Sequence, residues 1–242
     1  MAIALLIASL AALYWFQRND VRNFQRFREV EDTKTRQRAF LRWAAGACAM
    51  FLGVPLIGLA TLGRFDALTE FPEEFWSVAL EVPAIQTGGV AMGAAIGAVI
   101  GGAIAGALIA LRRGKAARPP KGMDITPLLP RNRAELLHVV PLAINAGISE
   151  EIFFRVYLPL LLVLAGVPGW IAFVASALIF GAMHRYQGVL GVAVTLVLGM
   201  VFTALYLASG GLLVPILFHL LINANALLFR PAVQLRFRRP AD

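Results

Sequence analysis

The sequence predicts an all-α fold, a polytopic transmembrane helix bundle of about seven spans. Three observations carry that prediction. The 242 residues are 59% hydrophobic and only 15% charged, with a mean hydropathy of +0.74, where a soluble domain carries about 25% charged residues. The apolar residues fall into stretches near the roughly 20 residues that cross a bilayer. The charges gather in the short connections between those stretches, where they set membrane orientation rather than a nucleic-acid surface. Nucleic acid is therefore not an expected partner, despite a net charge of +8; the lipid bilayer is.

The expected spans are about 1–16, 40–63, 87–111, 137–165, 169–184, 189–208 and 212–229. The first has no basic segment before it and no convincing cleavage site after it, so it reads as a retained anchor. In the third, Gly89, Gly93, Gly97 and Gly101 recur every four residues, followed by Gly102 and Gly106. Such a face lets helices pack closely; without a preceding strand or a following acidic residue it is no dinucleotide fingerprint. The fourth stretch is too long for a straight span. Pro141 near its start points to an interfacial turn over 134–140. The fifth is short, so its end at His184 stays below the lipid surface. Cys48, the single cysteine, excludes an internal disulfide and reads as a small packing residue.

Of the 22 lysines and arginines, 20 fall on one expected side: in 17–39 and its flank, in 112–133, in the tail and at Arg185. Arg64 stands opposite, among Asp66, Glu70, Glu73, Glu74 and Glu81. The positive-inside rule then gives an outside N-terminus, seven crossings and a cytoplasmic C-terminus. Segment 17–39 reads as a solvated connection. The organisation expected is a three-span N-terminal region over 1–133 with basic cytoplasmic connections, a four-span core over 134–230, and a basic cytoplasmic tail over 231–242.

The chemistry concentrates in that core. Glu150 and Glu151 lie mid-way along an apolar helix, and ionisable groups at bilayer depth cost several kcal/mol unless they face protein or trapped water. On a helix Glu151 and Arg155 are i and i+4, the favourable order for an ion pair. Glu150 points about 100° away, with Ala146 and Gly147 one turn earlier leaving room above its carboxylate. Phe180 and His184 are i and i+4, as are His219 and Asn223. A carboxylate, two imidazoles and a carboxamide from three helices can polarise a water. Glu150 acts as general base with a histidine assisting, and Asn223 and a histidine face a tetrahedral oxyanion. Histidine and glutamate can also ligate Zn²⁺, although no H-E-x-x-H motif is present. The site therefore calls for no certain cofactor, with a divalent metal such as zinc left open. His138 reads as interfacial, and Asn225, facing away from Asn223, as packing.

The ordered set Glu150-Glu151-x-x-x-Arg155, Phe180-x-x-x-His184 and His219-x-x-x-Asn223 resembles the signature of the CAAX protease and bacteriocin-processing family. These are intramembrane endopeptidases that include the type II CAAX prenyl proteases. The resemblance covers about 137–229 and leaves out the first three spans. It implies that Glu150 and His184 activate the hydrolytic water, that His219 and Asn223 stabilise the oxyanion, and that Glu151 and Arg155 hold the site together, with Phe180 in support. It implies a cavity open to the cytoplasmic side. The compact chain looks bacterial, at home in the plasma membrane, where a peptide or membrane protein is the expected substrate rather than a prenylated one. Two rival functions remain: a proton-coupled transporter using the same carboxylates and imidazoles as a relay, and a non-catalytic scaffold or bacteriocin immunity protein of the same family.

Overall fold

A computed structural model describes residues 1–81 and 121–237, together with Gly93, Gly97 and Gly101 between them. Among the described residues the regular structure is entirely helical. The third expected span, 87–111, lies outside them apart from those three glycines, which are helical and exposed. No described residue lies within 4 Å of a Cβ built on any of the three.

Helix α1 runs Ala2–Arg28, well past the apolar stretch that suggested it. Ser9, Leu13, Asp20, Phe24 and Phe27 are its buried residues. Their spacing of three, four or seven continues one helical stripe through the charged segment. Only residues 29–32 connect it to α2, Thr33–Cys48, whose N-cap Asp32 accepts from the Thr35 amide at 2.8 Å. The expected solvated connection over 17–39 is therefore corrected. Outside residues 29–32 the segment is helical, and although Arg18, Arg22, Arg26, Arg28 and Arg38 are exposed, Asp20, Phe24, Phe27 and Arg36 are buried. The polar composition misled because the helical period places only some of those side chains in water.

A π-turn at Ala49–Gly53 joins α2 to α3, Val54–Leu62. Short 3₁₀ turns and α4, Trp76–Leu80, follow. Helix α5, Arg133–Glu151, passes through a second π-turn, Ile152–Tyr157, into α6, Leu158–Leu164. Then come α7, Gly169–Met183; α8, Val189–Ser209; and α9, Leu213–Ala224. A third π-turn, Asn225–Phe229, leads into α10, Arg230–Phe237. Each π-turn ends two residues before a proline: Pro55, Pro159 and Pro231. Proline has no amide hydrogen, and its ring collides with the carbonyl four residues back. Widening the turn across that carbonyl lets each helix continue. Pro141 is different. It lies inside the unbroken α5, so the interfacial turn expected over 134–140 does not form. Asn132 starts that helix by capping the Glu135 amide at 2.9 Å.

Helix α5 is the centre of the bundle, packed by α2 on one side and α9 on another, while α7 packs along α8 and α6 lies against α1 and α7. The main core runs through Phe51, Phe75, Phe153, Phe154, Phe173 and Tyr206. Three helical stretches among the described residues are long and apolar enough to cross a membrane: Thr33–Leu62, Val189–Ser209 and Leu213–Arg236. Helix α7 has 15 residues, about 22 Å at 1.5 Å per residue, short of a hydrocarbon core of about 30 Å.

Candidate active site

Glu150 and Glu151 close the last turn of α5, directly before the π-turn that carries Arg155. Arg155 and Glu151 are both fully buried and paired, with the guanidinium Nε donating to Glu151 Oε2 at 2.9 Å. The i, i+4 pairing expected from the sequence forms, although the turn between the two residues is wider than an α-helical one. The guanidinium lies against the rings of Phe180 (5.1 Å) and Phe202 (5.7 Å), which compensate part of its desolvation.

The second oxygen of Glu151 is also engaged: His219 Nδ1 lies 2.8 Å from Oε1. The sequence reading did not foresee this bond. No local spacing reports it, because the two residues are 68 apart and meet only when α9 packs on α5. A carboxylate held by Arg155 accepts, so Nδ1 is the donor, an assignment that follows from the network. His219 Nε2 is then turned toward Glu150, 3.9 Å from its Oε2. That gap is too long for a direct hydrogen bond. The imidazole stacks on Phe202 at 4.9 Å and 22°.

Glu150 is 9% exposed, and its Oε2 has no hydrogen-bond partner. It lines a cavity of about 180 Å³ together with His184, His219, Asn223, Phe180 and Ala146. All four residues singled out for catalysis thus line one cavity. One expected detail fails: Gly147 does not open space above Glu150. A Cβ there would sit 2.7 Å from Leu220 Cδ2 and 3.2 Å from the Leu220 amide nitrogen. Its missing side chain admits α9, and this close approach is what brings His219 to Glu151. Ala146 is the residue on the cavity side.

His184 begins a 3₁₀ turn, His184–Gln187, at the end of α7. Its Nδ1 lies 2.9 Å from the Phe180 carbonyl oxygen and donates to it, which leaves Nε2 as an acceptor. Phe180 is 4.8 Å from the His184 ring and 6.1 Å from the His219 ring, a spacer between the two. Asn223 Nδ2 donates to the Ala143 carbonyl at 3.2 Å, which fixes the carboxamide against α5 and leaves its second N–H. Cys48 is a free thiol. His138 lies on the first half of α5, its Nδ1 2.9 Å from the Ala134 carbonyl oxygen. Among the described residues no three His, Cys, Asp or Glu side chains are gathered as metal ligands, so the donor set does not fit a zinc site.

Residues 132–225 match the family model of type II CAAX prenyl endopeptidase Rce1-like proteins. This stretch belongs to the CAAX protease family. The match spans α5 to the start of the third π-turn and contains every motif residue named above. No curated protein and no solved structure matches the chain. Over that stretch the match supports a CAAX-type protease in general terms, and the helices long and apolar enough to cross a membrane fit an integral membrane protein. Helices α1 to α4 lie outside the family match, yet they contribute Phe16, Asp20, Trp43, Ala47 and Phe51 to the cavity wall. Asp20 is the site residue that sequence reasoning missed. It sat in a stretch read as a solvated connection, and only the helical stripe of α1 could have singled it out.

Proposed function

We propose that the protein is an intramembrane endopeptidase that hydrolyses a peptide bond of a membrane-associated peptide or protein without a metal. The observation that carries this reading is the contrast between the adjacent glutamates. Glu151 has both oxygens engaged, by Arg155 and His219, while Glu150 has a buried oxygen with no partner facing a cavity.

The chemistry follows from those roles. A water between Glu150 and His184 donates one hydrogen to the carboxylate and the other to His184 Nε2, which aims its lone pair at the substrate carbonyl. As the C–O bond forms, Glu150 takes the proton. The carbonyl oxygen becomes an oxyanion facing His219 Nε2 and the free N–H of Asn223. His219 donates there only as an imidazolium, held through Nδ1 by Glu151. When the C–N bond breaks, Glu150 returns the proton to the leaving amine. The new acid gives its remaining proton through His184 Nε2 to solvent, so the products are a carboxylate and an amine.

The division into a three-span region, a four-span catalytic core and a tail remains our proposal, as does the orientation with the N-terminus outside and the C-terminus cytoplasmic. Charge supports the orientation, since the basic residues named above share one side. A bacterial plasma membrane is the setting this orientation suits.

The test is purified protein, wild type against Glu150→Gln, compared on the membrane proteome and secreted peptides of the host. A new chain terminus produced by wild type and absent with Glu150→Gln is the expected result. Full peptidase activity in the variant would overturn the general-base role.

A further inference from the structure

The cavity holds a second carboxylate that the proposed mechanism does not use. Asp20, on α1, is 6% exposed and lines the cavity together with Glu150. Burial, with the charge of Glu150 adding to it, pushes the Asp20 carboxyl up to about 7. No lysine or arginine lines this cavity among the described residues, and no described cation pairs with Asp20. In a chain of net charge +8, the substrate chamber is thus lined by two acids and by no described lysine or arginine.

The walls around Asp20 are aromatic. Trp43 interacts with its carboxylate, and Tyr186 lies within its electrostatic reach. Phe24, Trp43 and Tyr186 form one cluster with centroids 5.1–6.1 Å apart. A buried carboxylate bounded by aromatic faces attracts a cation twice, through charge and through the ring quadrupoles. Phe16, Asp20 and Trp43 also line a groove of about 730 Å³ between α1 and α2. Asp20 thus stands where groove and cavity meet, on the path of a chain entering from the side. Arg26, Arg38 and Arg42 line the groove but not the cavity, so the basic side chains stop short of the chamber that Asp20 and Glu150 share.

We infer that Asp20 is the specificity-determining residue of this cavity and that it receives a lysine or arginine side chain of the substrate, close to the scissile bond. Two carboxylates in one enclosed space repel each other until a proton or a cation comes between them, and a cationic substrate residue meets that need while leaving Glu150 ionised as base. The inference rests on the endopeptidase reading for its cleavage step but not for its recognition step.

The experiment uses the detergent-solubilised full chain and fluorescein-labelled apolar decapeptides identical except at one position, which carries Arg, Lys, norleucine or Glu. The position is moved along the peptide. Binding is read by anisotropy and cleavage by mass spectrometry. Wild type is expected to bind the Arg or Lys peptide at least tenfold more tightly than the norleucine peptide at one position. Asp20→Asn should bring that ratio near one, Asp20→Glu should keep it, and Asp20→Lys should favour the Glu peptide. Equal binding of Arg and norleucine peptides by wild type overturns the inference without any variant, as does an unchanged ratio in Asp20→Asn. Cleavage without cation preference refutes the role of Asp20 and leaves the protease reading intact; cation-selective binding without cleavage does the reverse.

Discussion

Among the described residues two arginine–carboxylate pairs are fully buried, and they are built to opposite ends. In the first, Arg36 of α2 donates to Glu135 of α5 at 3.0 Å and to the carbonyls of Pro127 and Leu129 at 2.9 and 3.2 Å. Glu135 Oε2 also accepts the Arg131 amide at 2.9 Å. Its neighbours are backbone groups and the ring of Phe27, 4.3 Å from the guanidinium carbon. This pair clamps the 127–135 loop to α2 and lines neither the cavity of Glu150 nor the groove between α1 and α2. In the second, Glu151 and Arg155 use an imidazole as their third member, and the next residue, Glu150, keeps a free buried oxygen. Both pairs leave buried polar atoms without a partner, Arg36 Nη1 and Glu135 Oε1 in the first and Arg155 Nη2 in the second. What sets the site apart is that the open oxygen of Glu150 belongs to a residue lining the cavity, where a reactant can reach it.

The comparison can be broken from either side. The largest effect on activity is expected at the open end. Glu150→Gln, nearly the same size, should lower turnover by about 10²–10⁴-fold, the scale of a lost general base, with little change in the melting curve. Retained turnover would erase the distinction between the pairs. At the closed end, Arg36→Ala leaves Glu135 buried without its partner. That costs about 3–5 kcal/mol, read as reduced thermal stability and yield in detergent, while activity per folded molecule persists. If Arg36→Ala abolished activity at full stability, this pair would belong to the site after all.

A smaller effect sharpens the clamp. Removing the helix cap with Asn132→Ala should cost about 1 kcal/mol, seen as a lower melting temperature; no shift would mean that packing of α5 on α2 alone sets the helix start. The smallest concerns a third, half-exposed pair, Arg64 with Glu74. Bonding to Arg64 holds the Glu74 carboxyl below its ordinary value. Its folded-state affinity for protons is thus lower than in the unfolded chain, so the stabilisation is present above the ordinary glutamate range and fades as pH falls through the depressed value. Between pH 7 and pH 3 the melting difference between wild type and Glu74→Gln should shrink; at a pair this exposed it stays under about 1 kcal/mol. A difference that grows on acidification would contradict the pairing.

Local sequence carried much of this. Hydropathy marked α2–α3 and the helices from α5 to α9, though not α10, which falls in the stretch expected as a basic tail. The spacing of Glu151 to Arg155 forecast their ion pair. Phe180 and His184, four apart, do meet through the Phe180 carbonyl and ring. These features are readable because they lie within one helix, where separation along the chain fixes separation in space. The extent of α1 was not readable from hydropathy: its second half buries Asp20, Phe24 and Phe27 by periodicity within a charged segment. Nor was the fate of Pro141, which α5 absorbs while Pro55, Pro159 and Pro231 are preceded by π-turns.

What the amino-acid order determined by itself is a membrane-embedded helical chain with two adjacent glutamates, two histidines and an asparagine set in apolar helices, because composition and helical period are local properties. Which glutamate is occupied, which imidazole nitrogen turns to the cavity, and that an aspartate from the first helix joins them were decided only by packing. Gly147 lets α9 approach until His219 reaches Glu151, and α1 lies where Asp20 reaches the same chamber. Those contacts span 68 and 130 positions of sequence, and across such distances only the tertiary fold brings the groups together.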